Sequence, residues 1–297
     1  KRGIMKTLQV MRANWIAYLC LLPTAVIMLG ILGFPLIETV RLSVTNTKLI
    51  GTGDFVGIDN YVTLLSDPLF WRTLERTIVW TLVSVGLKTL LGLGGALLLN
   101  ENFAGRTLAR TLTLLPWIVP ISIGAIAWTW LYNGQHGLIN GILLHLHIIG
   151  EPFELLAGKT SAFIAAVIND AWVGTPFMAI IFLASLQAIP GDLYEAAHVD
   201  GANRLQRFRH ITIPQLKQAL LMATLLSSVW TFNSFDVIWV MTGGGPRDAT
   251  TTLVIQTFRT AFGSFKFGLA SALAVIVFVI LAVVSVIYFK QLDLEET

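Results

Sequence analysis

The chain has 297 residues, of which 55% are hydrophobic and only 12% are charged. Soluble domains carry roughly 25% charged residues, so charge this sparse cannot cover the surface of a water-soluble protein of this size. The net charge of +3 is small and no basic run is interleaved with aromatic residues, so we expect no nucleic-acid partner. The composition favours a protein embedded in membrane lipid.

Six stretches contain the roughly 20 apolar residues that a helix needs to cross the hydrocarbon layer. They are residues 15–41, 76–99, 108–132, 160–189, 215–242 and 267–289. None shows the two-residue alternation of a strand, and helices satisfy every backbone polar group within lipid. The sequence therefore predicts an all-α integral membrane protein with six transmembrane helices. Prolines in or near these spans predict kinks at Pro23, Pro35, Pro116, Pro120 and Pro176.

An even number of crossings places both termini on one side, and the basic residues indicate which side that is. Eleven of the 20 Lys and Arg residues fall on the side of the termini and eight on the other, although the first side is shorter. We therefore predict cytoplasmic termini. The predicted organisation is an N-terminal segment at 1–14, a six-helix membrane domain at 15–290 with a cytoplasmic loop at 190–214, and a tail at 291–297.

Polar side chains recur at membrane depth, where they are costly and usually face protein or water. Ser227, Thr231 and Ser234 are spaced i, i+4, i+7 and would share one face of the fifth predicted helix. Asp170 and Gly174 begin the same spacing, completed by Phe177, on the fourth. We predict that the two polar stripes line a water-filled passage. Hydrogen bonding between helices is the plainer alternative for any single residue.

Tryptophans near these stripes supply flat apolar faces, and sugar rings have one apolar face and a polar rim. The residues concerned are Trp117, Trp128, Trp130 and Trp172. We assign Trp117 to the predicted passage. For Trp128 and Trp130 we favour a place in the aromatic belt at the membrane interface.

Motifs for covalent or metal chemistry are weak in this sequence. The tripeptide GKT at 158–160 looks like the end of a phosphate loop, but Phe153 occupies the position where that loop needs a glycine. His145 and His147 form an HxH pair without a nearby carboxylate or cysteine cluster, and Cys20 is the single cysteine. We therefore predict no catalytic residue, no metal site and no cofactor bound by this chain.

The longest charged gap between apolar segments contains EAAHVDGANRLQRFRHITIP at 195–214. Asp192 is predicted to cap a short helix through 193–197, and Gly201 to bend it. Pro214 is predicted to restart the chain into the fifth span. The pattern indicates a bent helical pair lying along the membrane surface. An ordinary interfacial amphipathic loop is the alternative.

This loop resembles the EAA loop of ABC importer permeases. The matching elements are EAA, three residues, Gly201, nine residues, Ile211, one residue, and Ile213 followed by Pro214. The family usually has Leu before that proline, so Ile213 is a mild departure. Other segments look like the carbohydrate branch of the family, over about residues 15–290; they are FVGIDNY at 55–61, LLP…P at 114–120, GLIN at 137–140, LQAIP at 186–190 and GGGPRDATTTL at 243–253. The last resembles the first permease of maltose-type systems.

The resemblance implies a type I permease subunit of a sugar importer in the bacterial inner membrane. Such a subunit works with a second permease, two cytoplasmic ATPases that bind ATP and Mg, and an external solute-binding protein. The residues that would contact the ATPase are Glu195, Ala196, Ala197, Asp200 and Gly201. Sugar contacts in maltose-type permeases lie on the helices flanking this loop, where the alignment places Asp170, Gly174, Ser227, Thr231 and Ser234.

An ion-gradient-driven secondary transporter is the alternative function. It would use Asp170, Asp236 or Lys88 as a charge relay, because ionisable groups within the membrane often carry protons or ions. Its uptake would collapse with the gradient while ATP persists. A membrane enzyme or a structural scaffold is a further class, and it would show no solute-dependent ATP turnover in any complex.

Overall fold

The computed structural model describes residues 15–48 and 53–293, so the predicted N-terminal segment 1–14 and residues 294–297 of the predicted tail lie outside the described residues. Within them the chain is helical. The α-helices are α1 (Trp15–Met28), α2 (Phe34–Ser43), α3 (Asp59–Ser66), α4 (Pro68–Asn100), α5 (Arg106–Thr113), α6 (Leu115–Ile118), α7 (Ile121–Leu131), α8 (Leu138–His145), α9 (Lys159–Ala188), α10 (Gly191–Val199), α11 (Arg204–Arg207), α12 (Ile213–Phe232), α13 (Asp236–Thr242), α14 (Leu253–Phe258) and α15 (Phe267–Asp293). Short π turns at Leu29–Gly33, Phe208–Thr212 and Arg259–Gly263 join some of them.

Four continuous helical segments of the described chain are long and apolar enough to cross a membrane. They are Leu19–Ser43, Pro68–Asn100, Lys159–Ala188 and Phe267–Gln291. Two bent pairs pass the same test together, Arg106–Ile118 with Ile121–Leu131 and Arg204–Phe232 with Asp236–Thr242. All six predicted stretches are therefore helical. The count of spans is six if each bent pair is one span, and that count stays a prediction.

The bend within the third predicted span is 95° and falls at Val119 and Pro120. Val119 has extended backbone angles (φ −70°, ψ 129°), which proline imposes on the residue before it. Pro176 behaves differently, because α9 continues through it as one helix. Of the predicted kinks, the one at Pro120 is confirmed and the helix at Pro176 is unbroken.

The bend within the fifth predicted span is 42° and follows the end of α12 at Phe232. No proline lies there. The side-chain amide of Asn233 donates to the carbonyl of Val229 at 2.9 Å. The prediction of one continuous helix over 215–242 is thus wrong. Pro214 lies in the first turn of α12, where the restart was predicted, and a π turn joins α11 to this helix without a break in the helical path.

The described residues form two compact units, one within 15–66 and 260–276 without 49–52, and the other of 67–259 and 277–293. In the described part of the first, the side chain of Asn60 donates to the carbonyls of Ser43 and Thr45, each at 2.8 Å. The amide of Gly268 in the same unit donates to the carbonyl of Thr47 at 3.0 Å. These bonds fix the segment that follows α2.

The second unit is built on the packing of α4, α9 and α12. Small residues let the backbones of α4 and α9 approach closely, as is typical of helix interfaces in lipid. A side chain at Gly92 would overlap the Cβ atom of Met178. Ala96 and Phe182 are fully buried in the same cluster. This close contact holds the polar residues of the three helices within reach of one another.

Candidate functional site

A buried ion pair joins the three central helices. The Lys88 ammonium on α4 lies 2.6 Å from the Asp170 carboxylate on α9. It also donates to the Thr231 hydroxyl on α12 at 2.8 Å. All three residues are at least nine-tenths buried, so the charges are shielded from bulk water. Mutual neutralisation is what makes two charges tolerable at this depth.

Gly174 makes room for this ion pair. It lies one turn after Asp170 on α9, and a Cβ atom at this position would come within 2.7 Å of the Lys88 Cε atom. Thr231 is held from its other side, because the Trp80 indole donates to its backbone carbonyl at 3.0 Å. The lysine stem therefore fills the space above Gly174, at the position of the predicted water-filled passage.

The predicted polar stripe on α12 is only partly formed. Ser227 is buried one turn before Thr231, so these two residues share a face. Ser234 lies beyond the end of α12 and is half-buried, so it is not on that helical face. The structure thus gathers Asp170, Gly174 and Thr231 around Lys88 and leaves Ser234 outside. The solute-contacting role of all these residues stays a prediction.

Trp117 lies in an aromatic row near the same helices. Its ring centroid is 6.4 Å from that of Phe177 on α9, which is 4.9 Å from that of Trp230 on α12. Trp117 and Trp230 are both more than half exposed. The row offers flat apolar surface. Trp230 and Phe177 were not assigned to it from the sequence, although Phe177 has the i+7 spacing from Asp170.

The two tryptophans predicted for the interfacial belt differ in exposure. Trp130 is 76% exposed, as a residue facing lipid headgroups would be. Trp128 is half-buried, and its ring lies 5.8 Å from that of Trp172. It packs on the buried core cluster that contains Trp80. The belt interpretation stays a prediction for both tryptophans, and α7 turns Trp128 partly toward the core.

The loop after α9 forms the predicted bent helical pair. Helix α10 ends in two bonds that close a glycine-type C-cap: Ala202 N–H donates to the Ala197 carbonyl at 2.9 Å, and Gly201 N–H to the His198 carbonyl at 3.1 Å. Gly201 has φ +78°, a left-handed conformation that favours glycine. The predicted cap at Asp192 is wrong, because α10 begins at Gly191 and Asp192 lies in its first turn.

Two further contacts stiffen this loop. Asn203 and Gln206 form a reciprocal capping box at the start of α11, with bonds of 2.9 and 2.8 Å. The Tyr194 hydroxyl lies 2.9 Å from the Thr212 hydroxyl and ties α10 to the following turn. The spacing of Asn203 and Gln206 is a sequence signal for a helix start, whereas the pairing of Tyr194 has no local signal.

The EAA segment faces away from its own chain. Glu195, Ala196, Asp200 and Gly201 are exposed, and Ala197 is half-buried. An open groove of about 340 Å³ runs between α10 and the next helical turn, lined by Ala197, Asp200, Gly201, Ala202, Gln206 and Arg207. No described part of the chain covers Glu195. The loop thus presents a small-residue surface on a stiff frame.

At the opposite end of α9, the segment 243–252 is tied down by Arg259. Its guanidinium donates to the carbonyl of Gly243 and to the carboxylate of Asp248, each at 2.6 Å. This bond from Arg259 holds the pKa of Asp248 below its ordinary value. The amide of Leu253 donates to the Thr77 hydroxyl at 2.9 Å, which attaches the segment to α4. The glycine-rich segment is therefore an ordered structure.

Comparison with known proteins gives the class of this molecule. A family model described as "Binding-protein-dependent transport system inner membrane component" matches residues 88–293. The chain is 40% identical over 276 residues to the trehalose/maltose transport system permease protein MalF of Thermococcus litoralis, covering 93% of this chain and 92% of the relative. It is 34% identical to the sulfoquinovosyl glycerol transport system permease protein SmoG of Agrobacterium fabrum, covering 93% and 89%.

Solved structures show the same fold. A bacterial ABC transporter that imports the acidic polysaccharide alginate matches with a TM-score of 0.81 at 22% identity, covering 96% of this chain and 99% of that one. A crystal structure of the bacterial alginate transporter with its pentasaccharide-bound periplasmic protein matches with a TM-score of 0.82, covering 94% of each chain. At this identity the likeness concerns the fold.

The helical bundle and its exposed loop thus define a multi-pass membrane permease of the importer type. The chain belongs to the family of binding-protein-dependent transport system inner membrane components. The predicted resemblance, the all-α permease fold and the assignment as a transport subunit that is not itself an enzyme are confirmed.

Proposed function

We propose that this chain forms part of the path by which a sugar or oligosaccharide crosses the bacterial inner membrane, together with a second permease subunit. The observation that carries the proposal is the 40% identity, along almost the whole chain, to a permease named for trehalose and maltose. A relative named for sulfoquinovosyl glycerol supports a carbohydrate solute. An external binding protein delivers the solute, as the periplasmic protein in the alginate transporter structure suggests.

The path runs beside the junction of α4, α9 and α12. Asp170, Gly174, Ser227 and Thr231 are its proposed polar side; in this conformation Lys88 binds Asp170 and Thr231 and lies against Gly174. The row of Trp117, Phe177 and Trp230 offers the apolar faces on which sugar rings stack. Ser234 is also proposed to contact the solute. It lies at the break that follows α12, so that helix does not set the direction of its hydroxyl group.

Two partner ATPases bind ATP and Mg and hydrolyse the ATP. The conformational change that accompanies hydrolysis is transmitted to this chain through α10. The exposure of Glu195, Ala196, Asp200 and Gly201 leaves a surface for the ATPase to bind. The capping box and the bond from Tyr194 to Thr212 make the loop a stiff lever. Movement of a stiff element can rock a packed bundle between inward-open and outward-open states.

The orientation follows from the same loop. Cytoplasmic ATPases require 190–214 on the cytoplasmic side, in agreement with the bias of Lys and Arg. Six spans, if each bent helix pair is one span, would put both termini on that side as well. The start of α9 and the segment 243–252 then face the outside.

Substitutions in the loop test this function. We expect Glu195→Lys to uncouple ATP hydrolysis from sugar uptake without loss of membrane insertion, because it reverses the charge of an exposed docking residue. Gly201→Val should do the same, since a β-branched residue at φ +78° costs about 1–2 kcal/mol. Gly201→Asn is the matched control, because asparagine tolerates this backbone conformation.

The assay is sugar uptake and ATPase activity of the complex in proteoliposomes. Uptake should continue when ion gradients are collapsed and stop when ATP is withheld. Normal coupled uptake in both Glu195→Lys and Gly201→Val would remove the assigned role of α10. Uptake that follows the gradient in place of ATP would contradict the proposed function itself.

A further inference from the structure

A basic recess opens at the amino-terminal ends of α4 and α9. Its volume is about 420 Å³, and its charged lining consists of Arg72, Arg76 and Glu75 from α4, Lys159 from α9 and Arg247 from the segment 243–252. Phe163 and Val79 add apolar surface. Small-molecule sites in proteins occupy roughly 300–1,000 Å³, so the recess has the size of a ligand site.

The positive charge in this recess is not balanced within the described residues. Four cations line it against the single carboxylate of Glu75. None of the ion pairs in the described part of the chain includes Arg72, Lys159 or Arg247. The nearby carboxylate of Asp248 is bound to Arg259 and also attracts Arg76, so it leaves Arg72, Lys159 and Arg247 without a counter-charge. Like charges held together repel one another, so an anion placed among them would be stabilised.

The amino end of α9 adds to this potential. The helix is 30 residues long and begins at Lys159, after Gly158, without any side-chain hydrogen bond to cap it. Unbonded backbone N–H groups and the helix dipole make such an end attractive to anions. The GKT sequence at 158–160 therefore fits an anion site without being part of a nucleotide-binding loop, because Lys159 and Thr160 both line the recess.

We propose that this recess is a binding site for an oxoanion group, a carboxylate, sulfonate or phosphate, carried by a small molecule. The guanidinium groups of Arg72, Arg76 and Arg247 and the Lys159 ammonium bind the oxygens, since such charge-assisted bonds are strong. The Phe163 ring supports the rest of the ligand. Two sources supply this chemistry: a free acidic sugar, or the phosphate of an anionic lipid.

The site is separate from the proposed solute path. Lys159 and Asp170 are eleven positions apart on α9, or about 16 Å at the rise of an α-helix. The α10 loop lies beyond the other end of the 30-residue helix, about 45 Å away. Binding to the recess is measurable without turnover, so failure of this proposal and failure of the transport function are distinguishable.

The test uses the full-length chain in phosphatidylcholine nanodiscs, titrated with galacturonate and with inorganic phosphate, with neutral galactose as the control sugar. We expect both anions, but not galactose, to bind. The double substitution Arg72→Gln with Arg247→Gln should weaken that binding about tenfold or more, because two of the four cations are lost. Lys159→Gln should weaken it less, and its matched control Lys290→Gln should leave it unchanged.

A second arm uses nanodiscs with phosphatidylglycerol and native mass spectrometry. If neither free anion binds but the wild-type chain retains phosphatidylglycerol that the double variant releases, the oxoanion comes from lipid and the site stands. Binding should also fall as salt is raised from about 0.05 to 0.5 M, because these cations are partly solvent-exposed. The proposal is overturned if the double variant matches Lys290→Gln with every probe.

Discussion

Removing the Lys88 ammonium tests whether the buried ion pair governs the packing of the three central helices. Lys88→Met keeps the length of the side chain but leaves the Asp170 carboxylate, whose side chain is 10% exposed, without its counter-charge. It also takes the hydrogen-bond donor away from Thr231. Loss of one partner of a buried ion pair costs about 3–5 kcal/mol, so we expect the free energy of unfolding of Lys88→Met to fall by that amount.

Removing both charges should be far less harmful. In Lys88→Met combined with Asp170→Leu no charge is left uncompensated, and replacement of buried pairs by apolar residues is often neutral or stabilising. The double variant should therefore recover most of the stability lost by Lys88→Met. The expected coupling energy between the two positions is about 3 kcal/mol.

The measurement is equilibrium unfolding in mixed micelles for the wild type, both single variants and the double variant. Lys290→Met is the control, because Lys290 is exposed at the end of α15. The reasoning would be refuted if Lys88→Met were as stable as Lys290→Met. A double variant no more stable than Lys88→Met alone would equally show that the two charges are not coupled.

Two further predictions follow from close contacts. Gly174→Ala should cost about 1–3 kcal/mol in the same unfolding assay, because its methyl group must displace the Lys88 stem, whereas Gly141→Ala should cost little, since nothing lies within 4 Å of its Cβ position. The pKa of Asp248 is lower in the folded state than the ordinary Asp pKa of about 4 in the unfolded state. The interaction therefore stabilises the folded state above that ordinary pKa, and this stability is lost as the pH falls through the pKa of the folded state. Asp248→Asn should therefore lower the melting temperature at pH 7, and this difference from the wild type should disappear in acid. The corresponding loss of stability is below about 1 kcal/mol, because Asp248 and Arg259 are both partly exposed. A difference that grew in acid would contradict this prediction.

The helices could be predicted from the sequence because crossing a membrane requires long apolar runs. The break at Pro120 was also readable, since proline imposes an extended conformation on the preceding residue. The break after Phe232 was not, because no proline or glycine marks it. It arises where Asn233 and Ser234 end the apolar run of α12, and a single polar pair inside an apolar run does not by itself indicate a bend.

The candidate site shows the same division. Spacing alone related Asp170 to Gly174 and Ser227 to Thr231, because each pair lies on one helix. It gave no partner for Lys88, since which helices pack together is a property of the tertiary structure. The sequence likewise does not show why residue 174 is a glycine. The structure gives the reason, because the Lys88 side chain lies against it.

The loop after α9 was predicted most completely. Gly201 marked the end of α10, because a left-handed residue closes many helices. The bond from Tyr194 to Thr212 joins positions 18 residues apart and could not be read from local pattern. Features that depend on the spacing of nearby residues could therefore be predicted from the sequence. Contacts that depend on long-range packing could not.

The most direct test of the proposed importer role is purification of this chain from native membranes in mild detergent, with the co-purifying proteins identified by mass spectrometry. We predict that a second permease subunit and an ATP-binding-cassette ATPase co-purify with this chain in stable association. A chain that is isolated alone or as a homodimer, reproducibly in several detergents, would contradict the proposed role of α10 and the ATP-driven mechanism.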